Sequence, residues 1–171
     1  MSADYSEILE NIFGKHRKQA ILLDTNILML YLVGLTNRSL IQRFKPISNQ
    51  RFSESDFDLL CEIISRFKNL ITTPHILTEV SNHSDKLKGK DRWKFCNVIR
   101  LFITESDEHY SPSKELSQQE YFPEFGLTDT AISKVAAGKF FVLTTDFKLA
   151  ALLGKRNIDV RNFTQLRLLS L

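Results

Sequence analysis

The spacing of apolar residues changes several times along the chain, and each change predicts a new element. The first apolar stretch has the i, i+3, i+4 spacing of an amphipathic helix and consists of Tyr5, Ile8, Leu9, Ile12 and Phe13. Gly14 follows directly and is a natural end for that helix. We therefore expect residues 1–18 to supply a helix that docks on a core formed by residues 19–163.

Short runs rich in β-branched and aromatic residues predict four strands, over residues 19–23, 70–73, 139–145 and 158–163. Stretches with helical spacing lie between them, over residues 27–33, 54–67, 74–83, 91–103, 128–137 and 146–153. Strands that alternate with helices form parallel sheets with helices on both faces. The predicted fold is a three-layer α/β/α domain whose mainly parallel central sheet has about four to five strands.

Two segments lack a clear period. Residues 34–52 are basic, and residues 105–125 are polar, acidic and interrupted by Pro112 and Pro123. We expect the second segment to be a long surface excursion, and long loops in compact domains are often functional. Between these segments, the helix over residues 91–103 is predicted to bury an apolar side made of Trp93, Val98, Leu101 and Phe102.

Composition supports one globular domain over residues 1–171. The 171 residues are 43% hydrophobic and 25% charged, and the net charge is only +3. Cys61 and Cys96 lack the spacing of a zinc or redox motif and are predicted to be reduced core residues. No stretch approaches the ~20 apolar residues of a membrane span, and the N-terminal residues lack a secretory pattern. We expect a cytoplasmic protein without membrane contact.

Four acidic residues occupy positions that a parallel sheet would bring together. Asp24 and Asp146 follow predicted strands, whereas Glu79 and Asp129 lie in the first turns of helices that begin at the same edge. Ligand sites in open α/β sheets lie at this carboxyl edge. Clustered carboxylates raise one another's pKa, and a bound cation relieves that repulsion. The sequence therefore predicts a site for one or two Mg²⁺ or Mn²⁺ ions, which prefer oxygen ligands.

Each acid also has a structural interpretation. Asp24 and Asp146 are suited to cap the helices that follow them, and Asp129 would stabilise a helix start through the helix dipole. Glu79 has apolar neighbours and no capping role, although a surface position would also explain it. The ordered set of four acids favours the metal site over four separate caps.

The ordered set resembles the signature of the PIN-domain ribonucleases. The matching motifs are Leu23-Asp24-Thr25-Asn26, Thr78-Glu79-Val80, Thr128-Asp129 and Thr144-Thr145-Asp146. The resemblance extends over residues 19–163, and residues 34–67 and 84–125 are longer than in compact members such as the toxins of bacterial toxin–antitoxin pairs.

This resemblance implies a metal-dependent endoribonuclease, in which Asp24, Glu79, Asp129 and Asp146 are the catalytic metal ligands. It implies hydrolysis of RNA, single-stranded or structured, to 5′-phosphate and 3′-hydroxyl products. An inhibitory antitoxin-like protein and a homodimer are partners that the family suggests. The toxin, RNA-processing and defence roles stay open at the sequence level.

Other residues are candidates for supporting roles. Thr25, Asn26 and Thr145 neighbour the acids and could orient carboxylates, or cap helices instead. Basic residues and one Trp are candidates for phosphate and base contacts, with a solvated surface as the alternative: Arg38, Arg43, Lys45, Lys88, Lys90, Arg92 and Trp93.

The sequence lacks the motifs of several other functions. A haloacid dehalogenase phosphatase needs a second Asp where Asn26 stands, and the chain has no phosphate-binding loop or dinucleotide fingerprint. His75, Glu79 and His83 share a helical face, but the His-Glu-x-x-His zinc motif is absent. Two alternatives remain, namely a noncatalytic module that binds RNA or protein, and a DNA nuclease acting on flaps or single strands.

Overall fold

The computed structural model of the chain describes residues 3–169 and contains one sheet of five parallel strands. The strands are β1 (Ile21–Leu23), β2 (Leu70–Thr72), β3 (Asp107–Glu108), β4 (Phe141–Thr144) and β5 (Val160–Asn162). Their order across the sheet is β3-β2-β1-β4-β5. The four predicted strands are confirmed, although each is shorter than predicted.

Ten α-helices occur among residues 3–169. They are α1 (Ala3–Phe13), α2 (Thr25–Thr36), α3 (Lys45–Ser48), α4 (Glu54–Ile64), α5 (Pro74–Ser84), α6 (Gly89–Glu105), α7 (Ser113–Leu116), α8 (Phe122–Ala136), α9 (Phe147–Lys155) and α10 (Phe163–Leu169). With the parallel sheet between them, the helices form the predicted three-layer α/β/α fold. None of the helices in residues 3–169 has the length and apolar character needed to cross a bilayer.

The core forms around β1 and β4, whose residues are all buried. Phe13 of α1 packs edge-on against Phe67 and Phe141, with ring centroids 5.8 and 5.5 Å apart. Leu9 is also fully buried, so the predicted docking of the N-terminal helix is confirmed. The burial of Tyr5 lies outside the described residues, as does that of Ser48.

The basic segment after α2 contributes to the core despite its weak period. Its buried side chains are Leu40, Ile41, Phe44, Ile47 and Phe52. A 3₁₀ turn over Arg38–Leu40 and the four-residue helix α3 give these residues a spacing that no single periodicity describes. The acidic segment likewise contains β3 and α7, so a long excursion without secondary structure is a wrong prediction for residues 105–125. β3 was not predicted because its two residues are acidic and exposed, which is not a strand pattern.

The predicted apolar side of α6 is also wrong in part. Trp93 is 71% exposed and Leu101 is 61% exposed, whereas Phe95 and Phe102 are buried. Both cysteines are free thiols as expected, but they are half-buried and only border the core.

Helix ends follow local chemistry. Ser53 and Asp56 form a reciprocal capping box at the start of α4, and Thr73 caps α5 one residue before Pro74. Gly138 has a φ of 69° just after α8, a left-handed conformation that favours Gly beyond the end of a helix. Gly154 lies inside α9 and does not end it, and Asn157 takes the left-handed conformation beyond that helix.

The strand order reverses direction between β1 and β4, because the chain adds β2 and β3 on one side of β1 and later adds β4 and β5 on the other. Right-handed crossovers then place the two sets of connecting helices on opposite faces of the sheet. This reversal opens a crevice at the carboxyl ends of β1 and β4, where α/β proteins bind ligands. Above the same edge, α5 contacts α8.

Candidate metal centre

Asp24 and Asp146 reach the crevice from neighbouring strands. β1 and β4 pair in register, with Leu23 opposite Leu143, and the Asp24 N–H donates to the Leu143 carbonyl at 3.0 Å. Asp24 directly follows β1, and Asp146 lies two residues beyond the end of β4. The sheet register therefore brings together two acids that are distant in sequence.

Asp24 is buried and firmly held. Its Oδ1 accepts from the Ile27 N–H at 2.8 Å, which caps α2. Its Oδ2 accepts from the Thr145 N–H at 3.0 Å and from the Thr144 hydroxyl. Burial raises the pKa of Asp24, these hydrogen bonds oppose that rise, and the charge of Asp146 adds to it. The Asp24 carboxylate is thus held by donors from α2 and from the end of β4.

Glu79 ties three elements together. Its Oε2 accepts from the Thr25 hydroxyl and its Oε1 from the Thr128 hydroxyl, both at 2.6 Å. Thr25 begins α2 and Thr128 lies in α8, so Glu79 of α5 joins one helix from each face of the sheet. The Thr128 hydroxyl is thus committed to a contact between α8 and α5.

The pKa of Asp129 is raised by its burial and by the other three acids. Burial raises its pKa first, and the charges of Asp146, Asp24 and Glu79 raise it further, to about 7. A carboxylate responds in this way only to charges close by, in surroundings of low polarity. The hydrogen bonds agree, because Thr144 contacts both Asp24 and Asp146, and Glu79 accepts from Thr25 and Thr128, the neighbours of Asp24 and Asp129.

Asp146 is exposed and caps α9. Its Oδ1 accepts from the Lys148 N–H at 2.6 Å and from the Leu149 N–H at 3.0 Å. Its own N–H donates to the Thr144 hydroxyl at 2.9 Å. Within the described part of the chain, Oδ2 of Asp146 accepts no hydrogen bond. The capping interpretation and the ligand interpretation of this residue are thus compatible, since they use different oxygens.

Thr144 is a linking residue that the sequence did not single out. Its hydroxyl accepts from Asp146 and donates to Asp24, so it connects the two strand-ending acids. Among the predicted supporting residues, Thr25 orients Glu79 and Thr145 donates its backbone N–H to Asp24. Asn26 makes only a long bond of 3.4 Å to the Thr145 hydroxyl. A buried Thr at the end of a strand was the available signal for Thr144.

The donor set at this edge is entirely oxygen, which suits Mg²⁺ or Mn²⁺. In residues 3–169, no three His, Cys, Asp or Glu side chains are already grouped so as to hold a metal ion, and this includes His75, Glu79 and His83. The acids instead direct oxygens to threonine hydroxyls and backbone N–H groups. The raised pKa of Asp129 nevertheless shows that negative charge around it is unfavourable without a counter-ion, and holding a cation requires these side chains to exchange hydrogen bonds for metal bonds.

An open groove adjoins the acids. It has a volume of about 690 Å³ and lies between α5 and residues 125–129 of α8. Glu79 and Asp129 form part of its wall, together with His75 and Tyr110. The acidic edge is therefore accessible to a large ligand from this side.

The predicted phosphate-binding residues lie elsewhere. Asn37, just beyond the C-terminal end of α2, donates to Asp91 near the start of α6 at 3.4 Å. The basic residues flank this contact, whereas Asp24 is at the other end of α2, a helix of 12 residues and thus roughly 18 Å long. The structure consequently brings the two basic stretches near each other but not next to the acids.

Several of these basic residues also have partners. Arg38 bonds Glu54 at 3.1 Å and Asp58 at 2.7 Å, and Arg92 bonds Asp85 at 2.9 Å. Arg43 donates to Ser39. Every residue of the set except the half-buried Arg92 is exposed. Residues 36–52 contain no acid, but Glu54 and Asp58 of α4 lie against Arg38 in the fold.

No protein-family model matches the chain, and a search of curated proteins gives no match. Among solved structures, the chain is similar to a domain of a functionally unknown protein from Methanocaldococcus jannaschii DSM 2661. The identity is 14% and the TM-score 0.44, over 84% of this chain and 90% of that one.

Proposed function

We propose that the protein is a divalent-metal-dependent endoribonuclease of the PIN-like type. The observation that carries the proposal is the set of threonine hydrogen bonds that brings the four acids to one sheet edge: Thr144 contacts Asp24 and Asp146, and Glu79 accepts from Thr25 and Thr128, the neighbours of Asp24 and Asp129. Carboxylates gathered in this way form a site suited to cations, and the raised pKa of Asp129, caused first by burial and then by the other three acids, is consistent with it. Each carboxylate comes from a position that the sequence motif specifies.

The four acids would hold the metal, each with a distinct constraint. The Asp24 carboxylate is held by three donors, namely the Ile27 N–H, the Thr145 N–H and the hydroxyl of Thr144. Glu79 is oriented by Thr25 and Thr128, and Asp146 has an oxygen not used by the α9 cap. When bound, a hard divalent cation lowers the pKa of water and neutralises charge that develops on the scissile phosphate.

The chain's own residues contribute positioning. The Thr144 hydroxyl donates to the Asp24 carboxylate and accepts from the Asp146 backbone N–H, so it holds the Asp24 carboxylate against the main chain that carries Asp146. Asp129 holds a proton near neutral pH in the absence of a cation, and it must release that proton before it can bind metal. The wall formed by Glu79 and Asp129 leaves the acids open to a polymer lying in the adjacent groove.

The test compares wild type with Asp146→Asn and Asp24→Asn on RNA and DNA oligonucleotides of the same sequence, with Mg²⁺, Mn²⁺ or chelator. Both variants should lose on the order of 10²–10³-fold in RNA cleavage, the loss typical of removing one electrostatic contributor at a reacting centre. Asp107→Asn is the matched control, because this exposed acid lies on β3 at the far edge of the sheet.

The two variants should differ in stability. Asn is as good a helix cap as Asp, so Asp146→Asn should unfold within ~0.5 kcal/mol of wild type. In Asp24→Asn, one amide N–H₂ must face a donor at Ile27 or Thr145, which should cost about 1–3 kcal/mol. Full activity of Asp146→Asn would contradict the assignment. Cleavage of DNA alone would assign the same centre to a DNA nuclease.

A further inference from the structure

The groove beside the acids is lined in part by large apolar side chains that no described residue covers. Its lining residues are Pro74, His75, Thr78, Glu79, Tyr110, Phe125, Gly126, Leu127, Thr128 and Asp129. Tyr110 is 70% exposed and Leu127 is 41% exposed, which is high for large apolar side chains in a concave site. The ring of Tyr110 is thus a flat, accessible surface facing a cavity of about 690 Å³.

The charges of the groove narrow the choice of occupant. Among the described residues that line it, Glu79 and Asp129 carry acidic side chains and none is Lys or Arg. A phosphate or an acidic peptide would thus find no counter-charge from the described lining. A flat, uncharged group with polar edges fits better, since aromatic and aliphatic walls contact its faces while the Thr78 hydroxyl and the imidazole of His75 lie within the same lining.

The position of the groove identifies that group. Glu79 and Asp129 belong both to the groove wall and to the acidic centre. A nucleotide whose phosphate is at the acids would therefore direct its own base, or a neighbouring base, into the groove. Bases stack on exposed aromatic rings regardless of sequence, which is how single-stranded nucleic acids are commonly held.

The break in α8 keeps the groove open. Gly126 has φ 69° and ψ −169°, a conformation essentially restricted to Gly, and it separates the residues before it from the helical segment that carries Asp129. A Cβ at this position would meet no atom within 4 Å, so the constraint is the backbone angle and not crowding. The chain thus turns at the groove wall in place of filling it with a continuous helix.

We propose that this groove binds one unstacked nucleobase of a single-stranded substrate, with Tyr110 as the stacking surface. The proposal rests on the proposed nuclease function and adds a specificity to it. A base within a duplex is not available to Tyr110, so the groove selects single strands over paired ones.

Binding is measured by fluorescence anisotropy on the cleavage-deficient Asp146→Asn background, with short labelled RNA and Mg²⁺. Introducing Tyr110→Ala should weaken binding of the single strand about tenfold, from the ~1–3 kcal/mol of one base–aromatic stack. Tyr110→Phe keeps the ring and should restore the affinity. One abasic nucleotide scanned along the RNA should, at one position, cause the same loss and remove the effect of Tyr110→Ala.

Trp93 is the competing candidate for base stacking, because it is 71% exposed on the distant basic patch. The variant Trp93→Ala tests it. Loss of affinity on Trp93→Ala but not on Tyr110→Ala would overturn the proposal, as would equal dependence on Tyr110 for duplex and single strand. Failure of the nuclease function is distinguishable. In that case wild type cleaves nothing with any metal, while the coupling between Tyr110 and the abasic position is still observed in the binding assay.

Discussion

Threonine side chains do much of the positioning at the acidic edge. Thr25 and Thr128 each donate to Glu79, and Thr144 joins Asp24 to Asp146. A short hydroxyl has little conformational entropy to lose and can both donate and accept. The residues next to the acids are thus part of the centre and not merely caps of neighbouring helices.

Replacing Thr144 by Val should therefore matter more than replacing Thr145. Thr144→Val leaves the Asp146 N–H without an acceptor and removes one donor from Asp24, which we expect to cost about 1–3 kcal/mol of unfolding free energy. Thr145→Val loses only the 3.4 Å bond to Asn26 and should cost at most about 1 kcal/mol. Urea unfolding of both variants measures the difference, and equal costs would refute the linking role of Thr144.

Asp129 gives the protein a defined dependence on pH. Its pKa is raised from 3.8 to about 7, so the folded protein retains a proton that the unfolded chain has already lost between these values. The free energy of unfolding should consequently decrease as the pH rises from about 4 to 7, and stay lower above 7. A divalent cation that binds the ionised carboxylate should reverse this loss.

The variant Asp129→Asn tests this sign. At pH 8 without divalent ions it should be more stable than wild type by roughly 1–2 kcal/mol after allowance for solvent screening, or about 2–4 °C per kcal/mol. At pH 4 the two should unfold alike. Mn²⁺ should raise the melting temperature of wild type and not that of the variant. A less stable variant at pH 8 would show that Asp129 is not repelled by its neighbours.

Sequence reasoning succeeded for residues defined by local motifs. Asp24, Glu79, Asp129 and Asp146 each stand at a strand end or in a helix start, and periodicity alone places those boundaries within a few residues. Thr144 could not be chosen over Thr145 in this way, because the register of β1 against β4 decides which of the two faces Asp24. That register depends on contacts between residues more than a hundred positions apart.

At the scale of elements, the break in α8 is the feature that sets the mouth of the site. Residues 122–125 and the segment after Gly126 belong to one helix by position but are separated by a non-helical backbone angle. The break allows Thr128 and Asp129 to lie in a first helical turn, next to Glu79. An uninterrupted helix would rotate these side chains by its own period and move them away from α5.

Gly126→Ala should therefore be destabilising and Gly154→Ala should not. The first substitution forces a Cβ into a conformation reserved for Gly and should cost of order 1–3 kcal/mol. The second adds a methyl group in open space within α9 and should be neutral or stabilising by up to about 1 kcal/mol. Thermal unfolding of both compares them directly. Equal effects would mean that the chain at Gly126 can readily adopt another conformation.

The elements missed from the sequence share a physical reason. β3 has two acidic residues and no apolar alternation, α3 and α7 have four residues each and α10 has seven, and all four are too short to be stable without neighbours. Trp93 was placed in the core because apolar residues usually are, yet α6 is covered by α2 along only part of its length. The local sequence pattern predicts long helices and buried strands, but it does not predict which face of a helix packs against another element.

At the scale of the whole molecule, Arg167 of α10 fastens the C-terminal helix to the basic segment and to α4. Its Nε donates to Asp56 at 2.7 Å, and its other nitrogens donate to the carbonyls of Gln50 and Arg51. The guanidinium also lies 5.2 Å from the ring centroid of Phe52. One side chain thus closes the domain between positions more than a hundred residues apart.

Arg167→Ala should destabilise the fold by about 2–3 kcal/mol, since it leaves the Asp56 carboxylate, only 10% exposed, without its partner. Arg17→Ala is the matched control, because the Arg17–Glu10 pair is 64% and 41% exposed and, screened by solvent, should contribute little to stability. Hydrogen exchange should also accelerate at residues 47–56 in Arg167→Ala alone. Similar losses in both variants would refute the closing role of Arg167.

The long sequence separation within the crevice also imposes an order in time. Thr144 is synthesised 120 residues after Asp24, and until β4 pairs with β1 the buried carboxylate has no donor on that side. The acidic edge therefore cannot be completed early in translation. Under the proposed nuclease function, the growing chain would be harmless to the messenger that encodes it while it is still tethered nearby, and ribosome-stalled chains that stop before residue 141 should leave added RNA intact.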